Sequence, residues 1–213
     1  MSKRKQPPAA PTPQHDLRFK HPGDSHIGNY IQASYGDRGA IDRLARKGFR
    51  MDPQLSSHNQ SVFVNGKSKR FVMAVAGTHD VTHTDDVPTD IAFALGGLKE
   101  TKRYKEARDV LQQARDKYQG YSAPAVVGHS LGGAIASGIT RGDELAVTYN
   151  KAATLGTTTR GNEQAFRQQG DLVSAMAAGN HNMTTLSSSL SAQAVPIAGP
   201  HNVSNLQGTP LFL

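Results

Sequence analysis

The sequence predicts an α/β fold with a mostly parallel central sheet flanked by helices. Predicted strands alternate with helical patterns along most of the chain, and a predicted antiparallel hairpin precedes them. The length of 213 residues suits one domain with a sizeable core, and we place that domain at residues 28–213.

The first elements follow from local patterns. Asp37 is expected to cap a short helix that ends at Gly48. Two runs rich in β-branched and aromatic residues, 61–64 and 70–75, flank the turn signal Asn65-Gly66 and predict the hairpin. A polar loop over residues 79–89 and a short helix capped by Asp90 are expected next.

The later elements alternate as an α/β sheet requires. A helix is predicted over residues 99–118, stopped by Gly120, because apolar residues recur there every three or four positions: Tyr104, Ala107, Leu111, Ala114 and Tyr118. Further strands are predicted over 123–127 and 145–149, with a shorter one over 165–169.

Composition excludes several classes of protein. The chain has no cysteine, which excludes disulfides, thiol catalysis and cysteine-based zinc sites. It has no apolar stretch of about 18 residues, so no membrane-spanning helix is expected. No apolar signal-peptide core is visible near the start, which favours an intracellular or viral setting over a secreted one. No cofactor is expected.

Positive charge is concentrated at the start of the chain. The formal net charge is +7, and the first 22 residues carry +4 of it together with five prolines. Residues 1–27 are therefore predicted to be a disordered, basic, proline-rich arm. The arm predicts weak contact with polyanions such as nucleic acid, or with anionic membranes, and a purely solvated tail is the alternative.

The most informative motif is Gly128-His129-Ser130-Leu131-Gly132-Gly133. It follows an apolar run over 123–127 and precedes small apolar residues, the strand–turn–helix context of a nucleophile elbow. Such a turn holds the serine in a strained conformation at the carboxyl edge of a sheet, beside a helix N-terminus. The alternative is a glycine-rich turn in which Ser130 only caps the helix.

A serine nucleophile needs a histidine base and an acid that orients the histidine. In α/β-hydrolases these follow the serine in the order acid, then histidine. Asp171 follows a candidate strand, so it would emerge at the same sheet edge as Ser130, whereas Asp143 and Glu144 precede a strand. His201 is the expected base, and His181 is the competing candidate.

The tetrahedral intermediate needs two backbone donors for its oxyanion. The N–H of Leu131 directly follows the nucleophile and is the first expected donor. The second normally comes from a loop after an earlier strand, and Gly77-Thr78 closes such a strand here, which makes Thr78 the candidate.

These residues together resemble the class 3 (fungal-type) lipases, an α/β-hydrolase family. The resemblance covers about residues 28–206 and rests on Gly77-Thr78, the Gly128 to Gly133 hexapeptide, the Asp171-Leu172-Val173-Ser174 stretch and the late His201. It implies Ser130 as nucleophile, Asp171 as orienting acid and His201 as base. It also implies Thr78 and Leu131 as oxyanion donors.

Two departures from the lipase pattern bear on the substrate. Ala76 stands where the family usually has arginine, and the loop over residues 79–86 is polar rather than an amphipathic lid. The polar loop favours esters with short or medium acyl chains over an oil interface. A metal site is a weaker interpretation of the same loop, from its side chains His79, Asp80, His83, Asp85 and Asp86.

The leading functional expectation is a serine hydrolase that cleaves carboxylic esters of lipids or small acyl esters through an acyl-enzyme. A non-catalytic structural or binding protein with the same fold, such as a virion component with a polyanion-binding arm, is the alternative. A third interpretation of the same residues is a different serine hydrolase, such as a phospholipase or an acyltransferase.

Overall fold

The computed structural model describes residues 27–78, 96–153, 158–175 and 183–186. Within these ranges the chain forms one sheet whose strands lie side by side in sequence order. They are β1 (Arg50–Met51), β2 (Gln60–Asn65), β3 (Arg70–Val75), β4 (Ala125–His129), β5 (Leu145–Tyr149), β6 (Glu163–Gln168) and β7 (Met183–Leu186). Strands β1 to β3 pair antiparallel and β3 to β7 pair parallel. The expected mostly parallel α/β sheet with an N-terminal antiparallel hairpin is confirmed.

Helices cover both faces of the sheet. They are α1 (Ile27–Ser34), α2 (Arg38–Arg46), α3 (Lys102–Lys117), α4 (Leu131–Ile139) and the short α5 (Leu172–Ala175), with a 3₁₀ turn over Leu98–Glu100. Residues of α1 and α2 pack with Val72 and Ala74 in one apolar core. Residues of α3 and α4 pack with Met73 and Val75 in the other. Because β3 alternates between two cores, the sheet is buried on both faces, as a parallel sheet requires.

The start of α2 matches the sequence prediction, and the start of α3 differs from it. Asp37 caps α2, since its Oδ1 accepts a hydrogen bond from the Ala40 N–H at 2.7 Å. Thr101 caps α3 by accepting from the Tyr104 N–H at 3.2 Å. This cap divides the helix predicted over 99–118 into a 3₁₀ turn followed by α3. Its predicted apolar stripe is buried except at Tyr118, which is half-buried.

Helix α1 was not predicted from the sequence. All eight of its residues are buried, so it lacks the polar outer face that gives a helix its periodicity. Its buried polar side chains are satisfied by Arg43 of α2, whose guanidinium donates to Asn29 at 2.7 Å and to Gln32 at 3.0 Å. Strand β1, of two residues, and the four-residue elements α5 and β7 are too short to show a period.

Several predictions fall on residues outside the described ranges. They include the basic arm up to residue 26, the loop over 79–89 with the helix after Asp90, and everything after residue 186. The described part begins at Ile27, a core residue one position before the predicted domain start. No helix of the described part is long and apolar enough to cross a membrane.

Candidate active site

Ser130 occupies a strained turn between β4 and α4. Its backbone angles are φ 54° and ψ −127°, a conformation that non-glycine residues rarely adopt. Such strain persists only where neighbouring structure enforces it. Here the Ser130 N–H donates to the Tyr149 carbonyl at 3.1 Å, and the Ser130 carbonyl accepts from the Ala152 N–H at 3.0 Å. The main chain at and after strand β5 therefore holds the serine in place.

The glycines two positions before and after Ser130 are required by close backbone packing. A Cβ added at Gly128 would lie 2.5 Å from the Gly132 carbonyl carbon and 2.7 Å from the Gly133 nitrogen. A Cβ at Gly132 would overlap the main-chain carbonyls of Val75 and Ala76. Helix α4 can thus cross directly against the ends of β3 and β4, as the elbow motif predicts.

The first predicted oxyanion donor lies at the N-terminus of α4. Leu131 is the first residue of this helix, so its N–H has no intrahelical acceptor. The same helix end carries a partial positive charge from the aligned peptide dipoles. An anion that forms next to Ser130 would therefore meet a hydrogen-bond donor and a favourable field.

The second predicted donor lies on the adjacent strand. Strand β3 pairs parallel with β4, with Val75 opposite Gly128, so both strands end at the same edge of the sheet. Gly77 packs against the nucleophile: a Cβ built there would be 3.0 Å from Ser130 Cβ. Thr78 comes next in the chain and is exposed. The structure thus brings the Gly77-Thr78 segment next to Ser130, as the sequence analysis expects.

Three side chains that the sequence analysis did not assign to the site hold this segment. The hydroxyl of Tyr35 accepts from the Gly77 N–H at 2.7 Å and shares a 2.7 Å hydrogen bond with Nδ1 of His129. Arg103 Nη2 donates to the carbonyls of Ala76 at 2.6 Å and Gly77 at 3.2 Å. Burial raises the pKa of Tyr35 to about 12, against the lowering effects of the Gly77 hydrogen bond and the Arg103 charge. Tyr35 is therefore a neutral hydroxyl at physiological pH.

Asp171 is buried at the edge of the sheet where Ser130 lies. It is 3% exposed and follows β6, which is separated from β4 only by β5. Two strand spacings amount to about 10 Å. Burial is the largest cause that raises the pKa of Tyr149, the last residue of β5, and the charge of Asp171 raises it further. Ser130 and Asp171 therefore lie at the same edge of the sheet, on either side of the end of β5.

Ser174 is a partner of Asp171 that the sequence analysis missed. Its N–H donates to Asp171 Oδ2 at 3.0 Å, and its hydroxyl forms a shorter hydrogen bond with the same oxygen. The spacing Asp-x-x-Ser is the signal that could have found this cap at the start of α5.

Glu144 and Glu163, two buried acids that lie between Ser130 and Asp171 in the chain, have structural roles. Glu144, 2% exposed, is bound by Arg115 through two hydrogen bonds of 2.7 Å at the start of β5. Glu163, 1% exposed, accepts from Lys151 Nζ at 2.7 Å. Glu144 precedes β5 and Glu163 begins β6, so both lie at the amino ends of the parallel strands. Of these three buried acids, Asp171 is the one at the carboxyl edge.

Both histidine candidates, His201 and His181, lie outside the described residues. The histidines and aspartates of the 79–86 loop, the weaker metal hypothesis, lie outside them too. Among the residues that the structure describes, no group of three or more histidines and acids could hold a metal ion. No protein-family model, curated protein or solved structure matches this chain.

Proposed function

We propose that the chain is a serine hydrolase that cleaves carboxylic esters of lipids or small acyl esters, with an α/β-hydrolase-like arrangement of its sheet. One observation carries the proposal: Ser130 is held at positive φ in a strand–turn–helix elbow, between the helix N-terminus and Gly77. A serine that only capped a helix would need neither this strain nor the crowded glycines around it. The resemblance to class 3 lipases supports the same proposal.

In the proposed first step, Ser130 Oγ attacks the ester carbonyl carbon and passes its proton to the base, proposed to be His201. The carbonyl oxygen becomes an oxyanion, for which the N–H groups of Leu131 and Thr78 are the proposed donors. Asp171 would orient the imidazole and stabilise its positive charge. The ester C–O bond then breaks, and the imidazolium returns the proton to the departing alkoxide.

In the proposed second step, water attacks the acyl-enzyme. The base accepts one proton from the water as its oxygen bonds to the acyl carbon, and the same donors receive the oxyanion again. The bond from the acyl carbon to Ser130 Oγ then breaks, and the proton returns to the serine. The products are a carboxylic acid and an alcohol, and no cofactor is consumed.

The substrate class is proposed from the polarity of residues 79–86. A segment with this many charged and polar side chains offers little apolar surface to bury at an oil interface. We therefore propose short or medium acyl chains, presented in solution or in dispersed form, and no strong interfacial activation.

A series of p-nitrophenyl esters of increasing chain length tests the proposal. Ser130→Ala is expected to lower kcat by at least about 10³-fold, because the nucleophile is lost. The matched control is Ser137→Ala on the same helix, whose hydroxyl donates to Glu163 at 2.7 Å. This control should lose about 1 kcal/mol of stability and keep its kcat. Equal turnover by wild type and Ser130→Ala would refute the proposal, and activity only above the solubility limit would refute the substrate class.

A further inference from the structure

We propose that Arg103 is a positioning residue that orients the Gly77–Thr78 peptide and so directs the Thr78 N–H toward the developing oxyanion. This inference rests on the proposed function. Arg103 lies in the first turn of α3, outside the elbow and outside the pattern of residues expected to form the site. Its role is inferred from the main-chain atoms that it contacts.

Arg103 binds two consecutive carbonyls with one nitrogen. Its Nη2 lies 2.6 Å from the Ala76 oxygen and 3.2 Å from the Gly77 oxygen. In a regular strand, successive carbonyls point to opposite sides, so one donor cannot reach both. The main chain therefore leaves strand geometry at Gly77, directly beside Ser130, and the guanidinium holds it in that altered course.

A planar trans peptide points its N–H opposite to its C=O. The Ala76–Gly77 peptide shows this arrangement, since its carbonyl accepts from Arg103 and its N–H donates to Tyr35 at 2.7 Å on the other side. By the same geometry, fixing the Gly77 carbonyl fixes the direction of the Thr78 N–H, which must point away from Arg103. Arg103 therefore sets the orientation of the proposed oxyanion donor.

The backbone at Gly77 needs support from another residue. A Cβ there would lie 2.5 Å from the Tyr35 hydroxyl and 2.9 Å from the His129 carbonyl, so only glycine fits. Glycine has the widest choice of backbone angles, and its own sterics cannot fix the next peptide. In the described part of the chain, Arg103 Nε is buried without a hydrogen-bond partner. The guanidinium is thus placed to reach the two carbonyls at the expense of its own hydrogen bonding.

The test compares Arg103→Ala and Arg103→Lys with a matched control, Arg160→Ala. Arg160 also donates from one nitrogen to two main-chain carbonyls, those of Ser137 at 2.5 Å and Thr140 at 2.9 Å, but at the far end of α4. We expect Arg103→Ala to lower kcat about 10–100-fold with KM nearly unchanged. The loss should be smaller than that caused by removing an oxyanion donor, because the Thr78 N–H remains but is less well oriented. Arg103→Lys should recover only part of it, because the lysine side chain is one bond shorter and brings its ammonium short of the position of Nη2.

Arg160→Ala should keep the wild-type kcat once turnover is divided by the folded fraction, which circular dichroism measures. Adding free guanidinium at millimolar concentration should raise the kcat of Arg103→Ala and leave that of Arg160→Ala unchanged. An unchanged kcat in Arg103→Ala, or an equal fall in both alanine variants, would overturn the inference.

A second readout separates this inference from the proposed function. In the free protein, the NMR resonance of the Thr78 amide should shift in Arg103→Ala and stay in place in Arg160→Ala. If the wild type hydrolyses no ester, the proposed function fails, and a shifted Thr78 amide still supports the positioning of this peptide by Arg103. An amide that does not respond to Arg103→Ala contradicts the positioning role whatever the turnover.

Discussion

The position of the Asp171 carboxylate depends directly on its neighbour Ser174. Ser174 supplies two hydrogen bonds to one carboxylate oxygen of Asp171. These bonds fix the plane of the carboxyl group. In the proposed mechanism, Ser174 would hold the Asp171 carboxylate in place for the imidazole.

At the residue scale, Asp171→Asn should lower kcat by about 10³–10⁴-fold, because an amide cannot stabilise an imidazolium and favours the wrong tautomer. Ser174→Ala should lower kcat by only about tenfold, since the carboxylate remains but loses two donors. Steady-state kinetics on one p-nitrophenyl ester checks both. If Asp171→Asn keeps more than a tenth of the wild-type kcat, Asp171 is the cap of α5 and is not the orienting acid.

The sequence indicated the residues of the elbow because the motif is local. Ser130, Leu131 and the crowding glycines lie within six consecutive positions, and the strand before them marks their context. Arg103 gave no such signal, and no local pattern linked Tyr35 to the elbow. The hydrogen bond between Tyr35 and His129 joins residues 94 positions apart, and contacts of that kind exist only once the sheet and helices have assembled.

At the element scale, the close crossing of α4 over β3 is the feature most sensitive to added volume. Gly132→Ala places a methyl group against the Val75 and Ala76 carbonyls and should lower the free energy of unfolding by about 3 kcal/mol. Gly142→Ala is the control, because a Cβ there has nothing within 4 Å. Its change should stay within about 0.5 kcal/mol. Urea unfolding measures both, and equal stability of the two variants would contradict the packing described here.

A second element-scale feature joins the segment after β1 to the end of α3. Buried Asp52 follows β1 and accepts from Lys117 Nζ at 2.7 Å, from the Tyr118 hydroxyl at 2.5 Å and from the Gln54 N–H at 3.0 Å. Burial alone raises the pKa of Asp52, but the hydrogen bonds from these three donors outweigh it and hold the pKa below its usual value. The carboxylate therefore stabilises the fold in its ionised form.

The sign of the pH dependence follows from this lowered pKa. The contribution is complete above the unfolded-state pKa of about 3.9 and is lost as the pH falls through the lower folded-state value. Asp52→Asn should cost about 2 kcal/mol of stability near neutral pH, with a smaller difference from wild type below about pH 4. Urea unfolding across this range checks it. A difference that stays constant down to the lowest pH would show that the effect is not due to the charge.

Element prediction succeeded where period or composition marked an element and failed where neither did. The apolar stripe of α3 and the β-branched and aromatic runs of β2 and β3 indicated those elements. Helix α1 is buried all round, so tertiary contacts with Arg43 decide its structure. The Thr101 cap divided a periodic run because its side chain competes locally for the helix N–H groups.

At the scale of the whole molecule, sheet order explains how distant residues meet. Strands β3 to β6 are parallel neighbours in sequence order, so their carboxyl ends share one edge. Gly77-Thr78, Ser130 and Asp171 each follow one of these strands. The sequence predicted this edge from the alternation of strands and helices alone. It could not predict the supporting contacts from α1 and α3, because these depend on how the helices pack on the sheet.

The central claim is that Ser130 is an activated nucleophile, and covalent labelling tests it most directly. The full chain would be treated with a fluorophosphonate probe, digested, and the modified peptide identified by mass spectrometry. We predict one adduct, on Ser130, that persists in Ser137→Ala and is absent from Ser130→Ala. Folded wild-type protein without an adduct on Ser130, or a Ser130→Ala variant that labels equally well, would contradict the account.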